Sequence, residues 1–157
     1  MIFKQIGIIS TPFKKREGMP IQPRGAKGVK GKIVMNKEFS IGLNDLNGFS
    51  HIILIYYFHK SEGFELETKP FLDHKKRGIF STRAPKRPNS IGISVVKLLE
   101  IKSNTLYIEN VDILDNTPLL DIKPYIPEFD NYEVEKEGWI KNKIEKLNTI
   151  KSDTRFI

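Results

Sequence analysis

Ile52-Ile53-Leu54-Ile55-Tyr56-Tyr57-Phe58 is a run of β-branched, leucine and aromatic side chains that is apolar on both faces when read with a period of two. Such a run belongs in a central strand, covered on both sides. Working outward from it, β-favouring segments recur at Ile6 to Ser10, Lys32 to Met35, His51 to His59, Gly78 to Thr82, Ile91 to Ile101, Thr105 to Ile108 and Val111 to Leu114, with turn formers between them. Frequent short strands without intervening helical patterns predict a mainly β chain, an antiparallel sheet closed into a barrel or folded as a sandwich. Phe39 to Leu46 reads as one or two helical turns, because Asn44, Asp45, Asn47 and Gly48 discourage anything longer.

The C-terminal part has a different period. Trp139 or Ile140, Ile144 and Leu147 recur at helical spacing, with Lys141, Lys143, Glu145 and Lys146 on other faces, which predicts an amphipathic helix packed on the sheet. Lys151 to Ile157 reads as frayed.

The 157 residues suit one compact domain with at most a short appendage. Their 26 lysines and arginines against 19 aspartates and glutamates give a net charge of +7, which favours a polyanionic partner such as nucleic acid. The absence of cysteine excludes disulfides, thiolate metal sites and cysteine nucleophiles. The first residues have no apolar core of signal-peptide length, and Ile52 to Phe58 is far shorter than the roughly 20 residues of a spanning helix, so a cytoplasmic protein without a membrane partner is expected. No metal is expected either. His51 and His59 share a strand face but stand about 26 Å apart at the usual rise per residue, too far for one ion.

Two constellations carry chemistry. In Ser81-Thr82-Arg83-Ala84-Pro85-Lys86-Arg87-Pro88-Asn89-Ser90-Ile91-Gly92, two prolines stiffen an extended loop that aims Arg83 and Arg87 in defined directions. With Lys75, Lys76, Arg77 and Lys86 the stretch holds six cations and no acid, and arginine's planar fork suits carboxylate or phosphate. In Asp115-Asn116-Thr117-Pro118-Leu119-Leu120-Asp121-Ile122-Lys123-Pro124-Tyr125, a turn precedes an extended run whose alternation puts Asp121, Lys123 and Tyr125 on one face. That trio is either a polar site of catalytic type or a salt bridge with a packed tyrosine. A third feature, the Gly25, Gly28 and Gly31 repeat among Arg24, Lys27, Lys30 and Lys32, lacks the spacing of a nucleotide loop and reads as a basic hairpin edge or an RNA-contacting loop.

The ordered motifs Thr-Arg-x-Pro-x-Arg-Pro-Asn-x-Ile-Gly and Asp-x-Thr-Pro-x-x-Asp-x-Lys-Pro-Tyr are long, and they come with Ile6 to Lys14, Phe49-Ser50-His51, Phe58-His59 and Gly138-Trp139. On these residues the chain resembles the TrmO/TsaA-like family, which includes the YaeB and VirR proteins and whose characterised bacterial members are S-adenosylmethionine-dependent tRNA methyltransferases. The resemblance implies a small antiparallel β-barrel over residues 1–134 with a C-terminal helix and tail over 135–157. It also implies a homodimer, S-adenosylmethionine as cofactor, and tRNA carrying threonylcarbamoyl-adenosine near the anticodon as substrate. Carried onto matching positions, the cofactor contacts would be Gln22, Pro23, Phe58, His59, Arg83, Ile93 and the turn Asp115, Asn116, Thr117 and Pro118. Arg87, Lys86, Arg77 and Lys76 would face the RNA. The chain departs from the family pattern at Lys86, Ser90 and Asn116.

Methyl transfer needs the acceptor in line with the methyl group and a group to manage the acceptor's proton. Tyr125, Asp121 and Asn89 are the candidates for proton handling, in that order. Arg83 and Arg87 would hold a carboxylate or phosphates, and Phe58 would support a sulfonium through cation–π attraction. The rival expectation is a non-catalytic barrel that binds RNA or senses S-adenosylmethionine.

Overall fold

The structure is a computed structural model that describes residues 2–156, and for all of these except Ile144, Leu147 and Asn148 the side chains as well. Eight strands follow one another as β1 (Gly7–Ser10), β2 (Lys30–Met35), β3 (His51–Tyr57), β4 (Glu67–Thr68), β5 (Arg77–Gly78), β6 (Ile91–Lys102), β7 (Thr105–Glu109) and β8 (Thr117–Pro124). Six of them close a barrel in the order β1-β2-β7-β6-β3-β8, and β8 pairs back onto β1. Every pairing is antiparallel. Closure removes the exposed edges that an open sheet of this size would present. β4 and β5 form a separate two-stranded ribbon.

Alternation decides what lies inside. Along β3, Ile52, Leu54 and Tyr56 point inward and are buried, while Ile53 and Ile55 are half-buried on the outer face. Ile9, Ile33, Met35, Val96, Leu98, Leu106, Ile108 and Leu119 complete the inner layer from the other five strands. The pairing of β3 with β8 slips between Ile55 and Tyr56, so that Tyr56 faces Leu119 but Ile55 faces Asp121. This bulge reverses the alternation of β8, turning Ile122 onto the core and Asp121 and Lys123 outward.

Several sequence expectations change in the fold. Gly78 to Thr82 is not a strand beyond its first residue but a 3-10 turn, Ile79–Ser81, and Val111 to Leu114 is a loop whose Val111 and Ile113 nonetheless fill the core. The helical turns expected at Phe39 to Leu46 lie at Lys37–Leu43 and Leu46–Gly48, both 3-10. A single α-helical turn, Pro127–Asp130, follows β8.

The C-terminal segment Gly138–Asn148 is a 3-10 helix, not the expected amphipathic α-helix. It starts at a glycine with φ of +60° and has no side-chain cap, and eleven residues are marginal for an isolated α-helix. Three residues per turn do not present the 3.6-residue stripe. Of that stripe, Ile144 and Leu147 lie outside the described side chains. The tail expected to fray is pinned: Lys151 bridges Pro20, and Phe156 is buried with Ile79 and Ala84. Ile157 lies outside the described residues.

Candidate active site: a cleft at one mouth of the barrel

Where β3 ends, β6 begins and β8 begins, the barrel mouth opens into a cleft of about 300 Å3. Its walls come from the loop at 16–23, the continuation of β3, the proline-stiffened loop at 82–87, the loop at 112–117 and the tail at 152–156. The volume and the largely apolar walls are those of a small-molecule site.

Gly92 makes room for it. It pairs with Tyr56, and a Cβ there would lie 2.3 Å from the Tyr56 ring and 2.9 Å from Phe58. Without that Cβ the two rings pack edge to face at 5.4 Å and form the aromatic floor. Beneath them runs a polar chain. Ser94 donates to Asp112 Oδ1 at 2.7 Å, so its oxygen, 3.1 Å away, accepts from the Tyr56 hydroxyl. Burial pushes the Asp112 carboxyl up to about 6, against the lowering influence of the Ser94 hydrogen bond and of Arg83. Burial, and then the Asp112 charge, drive the Tyr56 phenol far above its ordinary value. At neutral pH the phenol therefore keeps its proton and can donate it to Ser94, and Asp112 is mostly ionised.

At the side of the cleft, burial, then Lys60 and Arg16, lower the pKa of His59, which leaves a neutral imidazole at pH 7. Its Nδ1 stands 3.4 Å from Thr117 Oγ1, at the limit of a hydrogen bond, while Thr117 spends its own proton on the Leu114 carbonyl at 2.7 Å. Gln22 presents the one anomaly among the described residues: its Nε2 is buried and has no partner. A native fold rarely leaves such a donor orphaned, and in a cleft wall a ligand atom or a water can supply the acceptor.

The cleft brings together seven of the ten expected cofactor contacts, namely Gln22, Pro23, Phe58, His59, Arg83, Ile93 and Thr117. Asp115, Asn116 and Pro118 shape the turn behind it and do not line it. Partial burial raises the Asp115 carboxyl, but Lys14, the Thr11 amide at 2.9 Å and the neighbouring Asn116 outweigh it and hold it below the ordinary range. These bonds tie the turn to the end of β1. Asn116 has φ of +59°, where glycine and asparagine are the tolerated residues, so asparagine fits this turn.

The expected RNA-facing cations separate. Arg87 lines the cleft, yet its Nη1 donates to the carbonyls of Thr82 at 2.9 Å, Ile79 at 3.2 Å and Ala84 at 3.5 Å, so it holds the loop's shape from within. Arg77 forms a two-pronged bond to Asp73 at 2.7 and 3.0 Å, an acid that Lys143 also grips at 2.8 Å. Lys76 is exposed and Lys86 half-buried.

None of the three expected proton-handling residues lines the cleft. Asn89 lies in a shallow outer groove with Phe3, Tyr57 and Leu120. Asp121 pairs with Lys123 at 2.9 Å on the outside of β8, and Tyr125 packs edge-on against His51 at 6.5 Å. His51 is six residues, about 20 Å, from the end of β3 that meets the cleft. The reason is the strand direction: β8 enters at the cleft with Thr117 and leaves at the far mouth. Within one chain the trio makes a salt bridge and a packed tyrosine.

The polar chain Tyr56–Ser94–Asp112 was not anticipated. Ser94 did give a signal, as the one hydroxyl on the inward face of β6 between Gly92 and Val96. Asp112 was concealed by a strand reading of Val111 to Leu114, which would place it outward. Among the described residues no group of three or more His, Asp or Glu side chains could hold a metal ion, and no helix is long and apolar enough to cross a membrane.

Comparison with known proteins converges on one family. Residues 8–131 match the model of the tRNA-methyltransferase O N-terminal domain. A probable S-adenosyl-L-methionine-binding protein of Pyrococcus abyssi is 51% identical over 154 residues, covering 98% of this chain and 84% of the relative. The human tRNA (adenine(37)-N6)-methyltransferase is 35% identical over 140 residues, 83% of this chain but 31% of the human protein. The crystal structure of TrmO from Pseudomonas aeruginosa superposes with a TM-score of 0.75 at 33% identity, covering 88% of this chain and 62% of that one. The chain thus spans about three-fifths of the solved bacterial protein and a third of the human enzyme. With two-thirds or more of this barrel matched at each level, the chain belongs to the tRNA-methyltransferase O N-terminal domain family.

Proposed function

We propose that this protein binds S-adenosylmethionine in the cleft and methylates the exocyclic nitrogen of threonylcarbamoyl-adenosine in tRNA, beside the anticodon. The observation that carries the reading is the cleft itself: seven of the cofactor contacts implied by the family lie in one cavity, and one of them, Gln22, has a buried amide nitrogen still lacking an acceptor. The names of the relatives point the same way.

When bound, S-adenosylmethionine supplies an activated methyl group on a positively charged sulfur. The chain's own residues do the rest. Gln22 would donate to a polar atom of the cofactor, and Phe58, Ile93 and Pro85 offer apolar walls for a purine ring. Arg83, exposed at the rim, suits a carboxylate, whether of the cofactor or of the threonyl group. Asp112 gives the cleft a negative floor opposite a cationic ligand, and Tyr56, held neutral, orients it through Ser94. Asp121 and Tyr125 can serve an acceptor only at the cleft of a second copy, because within one chain they stand toward the opposite mouth. A homodimer would supply that copy.

The test is transfer of labelled methyl from S-adenosylmethionine to tRNA prepared with and without threonylcarbamoyl-adenosine, followed by mass spectrometry of the nucleosides. Label on the modified adenosine alone is expected. Confirmed cofactor binding without transfer to either tRNA would overturn the enzymatic reading in favour of a sensor.

A further inference from the structure

Two loops supply five of the polar side chains of the cleft: residues 16–23 bring Arg16 and Gln22, and residues 71–87 bring Thr82, Arg83 and Arg87. Among the described residues no hydrogen bond joins these loops directly. The C-terminal tail joins them. Residues 151 and 152 lie against 18–20 as a short added strand: the Ser152 amide donates to the Met19 carbonyl at 2.8 Å and the Gly18 amide to the Ser152 carbonyl at 2.9 Å. The Ser152 hydroxyl oxygen accepts from the Met19 amide at 2.9 Å and donates to the Arg16 carbonyl.

Four residues on, the tail grips the other loop. Phe156 is buried against Ile79 and Ala84 and meets Phe71 edge to face at 4.9 Å. Arg155 donates to the Pro70 carbonyl at 2.7 Å and lies over the Phe71 ring at 5.2 Å. Between these anchors Ser152, Asp153 and Phe156 form part of the cleft wall. Ser152 to Phe156 lie outside residues 8–131, the part of the chain that matches the family model.

We propose that the tail, Ser152 to Phe156, is a part of the ligand site: it straps the two polar loops together and walls the cleft, so that ligand binding and tail docking stabilise each other. This rests on the reading that the cleft holds S-adenosylmethionine. The physical basis is preorganisation. Loops fixed before binding spare the ligand the entropy of ordering them, and whatever unhooks the strap returns that cost to the binding equilibrium. The Phe156 anchor sits in a small cluster separate from the barrel core and the Ser152 anchor is made by hydrogen bonds to a loop, so the barrel can stay folded while the strap opens.

Trypsin reads the strap directly, because Lys151 and Arg155 are both exposed. In the full-length protein, saturating S-adenosylmethionine should slow cleavage after Lys151 at least tenfold. Phe156→Ala and Ser152→Ala, which unhook opposite ends, should each weaken S-adenosylmethionine binding at least tenfold by calorimetry and abolish the protection, while far-ultraviolet circular dichroism stays that of the intact barrel. Equal cleavage of the free and bound wild type, or variants that bind as tightly as wild type, would overturn the strap alone. A wild type that binds no S-adenosylmethionine would overturn the reading on which the strap rests.

Discussion

Asp112 is the residue whose replacement tests the site most sharply, because stability and binding should move in opposite directions. Its carboxyl sits at about 6 in the fold against an ordinary 3.8, so the folded protein holds on to a proton that the unfolded chain has already released. Between those two values the native state binds more protons than the unfolded state, and stability must fall as pH rises through the interval. At about 1.36 kcal/mol for each pH unit, the ionised carboxylate costs the fold up to about 3 kcal/mol above pH 6, and contact with solvent in the cleft makes that an upper bound. Asp112→Asn keeps an acceptor for the Ser94 hydroxyl and removes the charge. Urea unfolding of both proteins from pH 4 to pH 8 isolates the effect, since the other acids titrate alike in each. The variant should equal wild type or fall below it at pH 4 and exceed it by about 1–3 kcal/mol at pH 8. It should also lose the preference for cationic S-adenosylmethionine over the uncharged-sulfur product. Parallel pH profiles for the two proteins would refute the argument, because they would mean that the carboxyl ionises in the fold as easily as in the unfolded chain.

Gly92→Ala drives a methyl group into the Tyr56 ring, 2.3 Å from where its Cβ must lie, and should destabilise the barrel by about 1–3 kcal/mol in thermal unfolding while displacing the aromatic floor and abolishing cofactor binding. Arg83→Ala and Arg87→Ala should separate: the first weakens ligand binding without changing the unfolding midpoint, and the second, which removes the guanidinium that ties the Thr82, Ile79 and Ala84 carbonyls together, lowers stability by about 1–3 kcal/mol as well. The same loss of stability in both would contradict the division into a ligand group and a loop staple. Asn116→Gly should be nearly silent in denaturant unfolding, whereas Asn116→Val, forced to φ of +59°, should cost about 1–2 kcal/mol. A homodimer should appear at twice the 18.1 kDa chain mass in light scattering, and a monomer that is fully active would remove Asp121 and Tyr125 from the reaction.

What could be read from the sequence divides along a physical line. The barrel was legible because alternation and turn chemistry are local: the apolar run at Ile52 to Phe58 became β3, and Ile91 to Ile101 became β6. The walls of the cleft were legible only through motifs, since nothing local tells Gln22 that it will share a cleft with Arg83. What the runs did not disclose is where in the barrel a face ends up. Asp121, Lys123 and Tyr125 do share a face, as alternation requires, but which mouth of the barrel that face approaches depends on strand direction and on the bulge at Ile55, and neither leaves a mark in the run itself. Asp112 shows the converse. A carboxylate between two core residues, Val111 and Ile113, reads as an outward charge on a strand, yet here the chain leaves the sheet and turns that acid beneath the cleft. Burial raises that carboxyl, and perturbations of this kind cluster at functional sites. Local rules therefore read which residues fill the barrel, and they miss what strand direction at Asp121 and the path of the loop at Asp112 decide.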